Sequence, residues 1–477
     1  MIKCLNNKII LTIFAGLFLS ISLNFYFISK FNNLNQLASK KYEHQMIKSD
    51  PGKFWRQAHN IRVDIENKKN YFQTGFEYRV SYLPSKILYI YSIFFGEKFY
   101  EYEDKIIVDP LTDIDDLKDK RIKVSLDNKK LIYLIIQSLI YYLSLFFLYS
   151  KVKKNFEKEY VFYLMIFLCF EPNIIMFHSS FWSESIFFSI LIFSLAMMVD
   201  KSFSIKKSIF LGILIGLLFL QRSVAIYYIL IVSIYYFLIL PRNDYYKILL
   251  MFSGYLIVLF FLGYHNFSRS AVFQIKPTQA MDGFYVYMIP NILAEKKSTS
   301  VRDIVTELEA ESKNWILENK IDLNLENEKI KYYNYLEDKS FRVIKSNLYL
   351  SFKFIIERTI HYLIFDPLRH VYYFYKYSLD EQDGFTKTQE HKNNIPYRII
   401  YSTLIYILSI IGLYQVYSEK KNYNLFLLLI LSLFYFISVS SWIGNNRYNV
   451  PNLIFLSFLI GKGVFYLRNK FFLKKND

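Results

Sequence analysis

Cysteine is almost missing from this 477-residue chain. Its two cysteines, Cys4 and Cys169, fall in the N-terminal tail and inside an apolar segment, so a disulfide framework is not expected. Spacings typical of zinc ligands are absent, as are a P-loop and a nucleophile elbow, which removes the commonest signatures of zinc, nucleotide and serine-hydrolase chemistry. The first apolar segment has no convincing small-x-small cleavage site and is read as a retained span rather than a signal peptide. No internal repeat is found. Alanine is scarce while Phe, Tyr, Ile, Lys and Asn abound, a chain-wide bias that weakens any argument from aromatic content. Acids are the minority charge: 41 Asp and Glu face 58 Lys and Arg, a formal balance of +17.

Apolar length is what the chain does have. It is 53% hydrophobic and 19% aromatic, with a mean hydropathy of +0.18. Apolar runs recur at the roughly 18-residue length needed to cross a ~30 Å hydrocarbon core. The expected fold class is an all-α polytopic membrane protein with about ten transmembrane helices and two large outward loops carrying interfacial helices. Spans are expected near 9–29, 131–150, 159–177, 181–199, 208–220, 224–240, 248–264, 399–417, 425–443 and 453–467. Basic residues collect in short connections (Lys151, Lys153 and Lys154; Lys206 and Lys207; Arg242 and Lys247; Lys420 and Lys421) and in the tail. The positive-inside rule then places those loops and both termini in the cytoplasm of a cell-membrane protein. The basic balance is thus assigned to loops that suit anionic lipid, and no nucleic-acid partner is expected.

Three regions follow. Residues 1–264 form an N-terminal transmembrane region whose first outward loop covers about 30–130. Residues 265–397 form a second outward region, and 398–477 carry the last spans. Within the first loop, 81–96 is too short to span comfortably and reads as interfacial or re-entrant. Residues 348–365 carry Lys353, Glu357 and Arg358 and read as interfacial rather than as an eleventh span.

Charges beside spans are costly and usually functional. Here they gather at the outward ends: Asp50, Arg79, Lys86, Glu184, Arg222, His265, Arg269 and Arg447. Asp50 precedes Pro51-Gly52, a turn signal, and then Phe54, Trp55, Ala58 and Ile61 recur at helical spacing. The expectation is a carboxylate at the mouth of a short helix lying on the membrane surface. Cations at such a surface suit an anionic amphiphile, with Arg fitted to bidentate phosphate contact. An acid there can take a proton from an acceptor hydroxyl. Taken singly, each residue also has an ordinary explanation. Asp50 can start a helix, Arg222 and Arg447 can snorkel, Glu184 can cap a span, and His265 can be a satisfied interfacial residue. The acidic run Asp109–Asp119 reads as a solvated loop.

In order, these motifs resemble the GT-C superfamily of membrane glycosyltransferases, most closely the bacterial branch similar to protein O-mannosyltransferases and the lipid A aminoarabinose transferase. The matching elements are Ser49-Asp50-Pro-Gly-Lys-Phe54 with Ala58 and Ile61; Arg79-Val-Ser-Tyr-Leu-Pro84-Ser-Lys86; Ser183-Glu184; Gly212-x-x-x-Gly216 leading to Arg222; His265-Asn266-Phe267 with Arg269; and Arg447-Tyr448-Asn-Val-Pro451. Two departures stand out. Pro51 replaces the second acid usually beside the first, and His265 stands where the family has Arg. The resemblance implies transfer of a sugar from a polyprenyl-phosphate donor to a lipid, glycan or protein acceptor outside the membrane, with inversion. It implies Asp50 as base and Glu184 as a group positioning a cation or the sugar. Arg79, Lys86, Arg222, His265, Arg269 and Arg447 are implied to hold the donor phosphate. No cofactor is expected, and metal dependence is left open. Polysaccharide polymerases or ligases, and lipid-linked-sugar flippases, are the competing readings. A flippase would typically show repeats and broken mid-membrane helices, neither of which is convincing here.

Overall fold

In a bilayer the backbone of an apolar run finds no polar partner except itself, so such runs become helices. The computed structural model describes residues 2–37, 50–70, 82–96, 128–200, 202–276, 278–323, 325–367, 395–419, 422–444 and 446–473, and among these there is no strand. The first half comprises α1 (Ile2–Leu37), α2 (Asp50–Glu66), α3 (Tyr82–Phe95), α4 (Asn128–Val152), α5 (Lys158–Phe170), α6 (Pro172–His178), α7 (Glu184–Val199), α8 (Ile205–Gln221), α9 (Tyr228–Ile239) and α10 (Tyr246–Ser270). The second half comprises α11 (Thr278–Tyr287), α12 (Ile289–Lys297), α13 (Val301–Glu318), α14 (Glu326–Ser346), α15 (Leu348–Leu363), α16 (Ile395–Ser418), α17 (Tyr423–Ser440) and α18 (Val450–Arg468).

Among the described residues six helical segments are long and apolar enough to cross a membrane: Leu5–Ser29, Asn128–Val152, Arg242–Ser270, Ile395–Ser418, Tyr423–Ile443 and Arg447–Phe471. The bent pair α5–α6 makes up to seven. The chain is a multi-pass membrane protein. Helices stand at the other three positions where spans are expected, but α7 and α8, at 16 and 17 residues, fall short of that length. Ser223–Ile239 is short as well.

The continuous span expected over 159–177 is broken, with α5 and α6 meeting at 50°, so the expected lack of broken helices does not hold and no longer weighs against a flippase. Pro172 supplies no N–H to continue the ladder. The carbonyls exposed by the bend are taken by tyrosines of α4: Tyr141 donates to Leu168 O (2.9 Å) and Tyr142 to Cys169 O (3.0 Å). Glu171 then starts α6 by accepting from the Ile174 N–H at 3.0 Å. Its other oxygen accepts from Asn173 and Tyr401.

The helix beginning at Asp50 forms, but it does not lie on a surface with one face wet. Phe54, Trp55, Ala58 and Ile61 are buried in a cluster with Phe27 of α1, Leu88 of α3, Leu134 of α4 and Phe181. Gln57 and Asp64 are buried as well, so α2 is packed on most of its circumference.

Small residues let helices approach closely where lipid offers no hydrophobic drive. Gly212 of α8 and Gly254 of α10 face each other's backbones, and a methyl at Gly212 would overlap the Met251 carbonyl. Gly412 of α16 and Gly463 of α18 repeat this arrangement against Leu459 and Leu408. Helices α11–α14 build a separate core around Tyr285, Ile304, Leu308 and Tyr333. At one end of the bundle Lys462 joins Glu157 (3.3 Å) and Glu419 (2.8 Å), and Asp200 joins Lys151 (2.9 Å) and Lys207 (3.6 Å).

At Gly216 the obstacle to a methyl is the Val258 side chain rather than backbone. Overpacking costs about 1–3 kcal/mol, and backbone yields less than a side chain. Gly212→Ala should therefore lower the melting temperature in detergent more than Gly216→Ala. An equal or reversed order would contradict the packing described for α8 and α10.

Candidate functional site

The other end of the bundle is organised by the short connection between α6 and α7. Gln137 of α4 donates to His178 O and Ser180 O, both at 2.7 Å. Gln221, at the end of α8, donates to Ser183 O at 2.9 Å. His178 Nδ1 lies 2.7 Å from Ser185 Oγ. Glutamines of two helices, α4 and α8, thus pin the five-residue loop 179–183 near both its ends. Phe181 points one way, edge-on to Trp55 of α2 (centroids 4.8 Å apart) and stacked on Tyr133 of α4 at 5.6 Å. Trp182 supports the other side, its ring centroid 3.5 Å from the Arg447 guanidinium.

Glu184, the first residue of α7, is fully buried and forms ion pairs with both Arg222 and Arg447. Arg222 caps the C-terminus of α8 and lies 5.0 Å from the Tyr448 ring centroid. Glu184 and Arg222 each meet a favourable helix end, the carboxylate the N-terminus of α7 and the guanidinium the C-terminus of α8. Two guanidiniums are therefore held on one carboxylate, with aromatic faces against them.

A second cluster lies between α2, α3 and α10. Lys86 of α3 is buried, 5.2 Å from the Tyr82 ring centroid. Tyr82 in turn packs edge-on against His265 of α10 at 5.3 Å. Ser85 donates to Gln57 of α2, joining the two short helices. Asp64 of α2 pairs with Lys69 at 3.2 Å. Burial lowers the Lys86 amine to about 7, Arg269 adds to the lowering, and Asp64 opposes it.

The structure thus brings together Glu184, Arg222 and Arg447, and separately Lys86, His265 and Arg269. Asp50 is the first residue of α2, with its side chain outside the described set. Arg79 and the run Asp109–Asp119 lie outside the described residues. Sequence reasoning passed over Trp182 and Asp64, and named Tyr448 only within the Arg447-Tyr448 motif. Trp182 and Tyr448 adjoin flagged charges, which was a usable signal. Asp64 follows Asp50 by two heptads, a spacing that shares a helix face. No group of three metal-ligating side chains occurs among the described residues.

No protein-family model matches the chain, and no curated protein does. Solved structures similar to it include those of an oligosaccharyltransferase from Archaeoglobus fulgidus. One, AglB in complex with an inhibitory peptide and a dolichol-phosphate, covers 95% of this chain and 51% of its own at 10% identity, with a TM-score of 0.45. A second, in complex with Zn and sulfate, covers 95% and 50% at 10% identity and a TM-score of 0.46. This chain spans about half the length of those proteins.

Removing one partner of a buried ion pair costs about 3–5 kcal/mol because a charge is left uncompensated. Glu184→Gln is expected to destabilise the protein on that scale in thermal unfolding. An unchanged melting temperature would show that the carboxylate is not the anchor of the two arginines. For Lys86 the sign runs with pH. Its folded value near 7 lies below the usual 10.5, so between those values the unfolded chain binds more protons and stability rises with pH. Lys86→Met should flatten the rise in melting temperature between pH 7 and pH 9. Parallel curves for variant and wild type would refute the assignment.

Proposed function

We propose that the protein is an integral-membrane glycosyltransferase that moves a sugar from a polyprenyl-phosphate donor to an acceptor at the Glu184 end of the bundle. One observation carries the reading. The loop that seats Glu184 beneath Arg222 and Arg447 also packs, through Phe181 on Trp55, against the helix that begins with Asp50. An acid and a pair of oriented guanidiniums are what this transfer needs close together. The ordered motifs, from Ser49-Asp50 to Arg447-Tyr448, support the same reading.

The chemistry follows from these roles. Asp50 takes the proton of the acceptor nucleophile as that nucleophile attacks the sugar's anomeric carbon. The bond from that carbon to the phosphate oxygen breaks, its electron pair leaves with the lipid phosphate, and the configuration inverts. Arg222 and Arg447 stabilise the charge growing on the phosphate, and their fixed orientation removes reorganisation from the reacting step. Lys86, Arg269, His265 and Arg79 are further candidates for holding the donor phosphate. Glu184 acts by holding the arginines. The acceptor side faces out of the cytoplasm, in keeping with the distribution of Lys and Arg among the short loops.

The test uses protein in nanodiscs with a panel of radiolabelled polyprenyl-phosphate sugars and membrane extract as acceptor source. Release of lipid phosphate by wild type, with a loss of at least a hundredfold in Asp50→Asn of unchanged melting temperature, is the expected outcome. Release that persists in Asp50→Asn would remove this residue as the base. Absence of release from every donor would overturn the transferase reading.

A further inference from the structure

Helix α15 has two unlike faces. Ser351, Phe354 and Tyr362 are buried, and Phe354 packs with Met288 and Ile292 of α12. Leu348, Phe352, Ile356 and Ile360, spaced by four, are 67, 65, 46 and 59% exposed, and Tyr349 beside them is 78% exposed. No charged residue stands at these five positions. An apolar strip of this extent on a protein surface marks an interaction site.

The depth of the helix identifies the partner. Its C-terminal end enters the end of the membrane bundle. Tyr362 donates to Phe436 O (3.0 Å), one turn inside the end of α17, and accepts from Asn452 of α18 at 3.1 Å. Just beyond, the Phe365 N–H donates to Ser402 at 2.9 Å, about two turns inside α16, and Tyr406 donates to Leu363 O at 2.8 Å. Two turns of helix are about 11 Å. The last members of the strip therefore stand level with the apolar outer faces of spans, where Ile399, Ile400 and Leu404 of α16 are also exposed.

We propose that α15 is embedded obliquely in the bilayer leaflet at the Glu184 end, with Leu348, Tyr349, Phe352, Ile356 and Ile360 in contact with lipid. An amphipathic helix with Phe, Ile and Leu on one face is suited to that position. Lys353 pairs with Glu295 of α12 at 2.7 Å and stands 4.0 Å from Glu357, so the exposed charges of α15 gather on the flank beside the strip, toward Glu295. The site is mechanically adjacent. Arg358 of α15 lies against Gly444, whose positive φ of 68° and close contact leave no room for a side chain, and the chain from Gly444 leads within one turn to Arg447. The inference does not rest on the transferase reading.

Nitroxide labels at Phe352→Cys, Ile356→Cys and Ile360→Cys, each in a Cys4→Ser background, test it in phospholipid nanodiscs; Cys169 is buried and unreactive. Collision rates with oxygen and with a water-soluble nickel chelate are compared, with exposed Glu309→Cys of α13 as the wet control. Oxygen collisions should exceed nickel collisions several-fold at the three strip positions and fall below them at position 309. Nickel prevailing along the strip would show a water-exposed face. Shielding from both reagents would show a covering protein, such as a second copy of the chain. Either result overturns the proposal.

Discussion

A buried carboxylate shared by two arginines is the constraint on which the candidate site depends. Charges removed from water are tolerated only when paired and well oriented. Glu184 meets that condition with partners far away in the sequence, since 263 residues separate it from Arg447. Three helix ends must therefore converge before the carboxylate can be buried. The start of α7, the end of α8 and the turn before α18 are fixed relative to one another by this single requirement.

Convergence needs helices that approach closely and a loop that cannot wander. The glycine contacts supply the first, bringing α8 against α10 and α16 against α18. Glutamine side chains from α4 and α8 supply the second by bonding the carbonyls of the loop before Glu184. The bend at Pro172 turns α6 toward this loop, and the tyrosines of α4 that satisfy the opened carbonyls make the bend compatible with an apolar setting. A helix break in a membrane is stable only where neighbours complete its hydrogen bonds.

The helical character was legible in the sequence because long apolar runs leave the backbone one solution. Span count was less so, since hydropathy does not reveal whether α7, α8 and α9 have enough length to cross alone. Glu171 and Pro172 stand in plain view, yet the apolar residues on both sides make 159–177 look continuous. The amphipathic pattern of α2 correctly gave a helix, but periodicity reports which side chains are apolar, not how many neighbours surround them. Glu184, Arg222 and Arg447 were each marked by their place at a span end. That they form one cluster was not legible, because an ion pair between distant segments leaves no local periodicity. Trp182 stood beside a flagged charge but was masked by the abundance of aromatics throughout the chain.

The two ends of the bundle use charge differently. Asp200 also serves two cations, Lys151 and Lys207, but it is about a quarter exposed and its pairs compete with water. Pairs of that kind contribute little, and their chief effect is to mark the basic end of the protein. Around Glu184 water is excluded, so the same two-to-one arrangement acts at much lower dielectric and a misplaced guanidinium is far more costly. Tight positional control of cations is also what stabilisation of a developing negative charge demands. The physical condition that keeps Glu184 buried therefore orients Arg222 and Arg447 without a separate device.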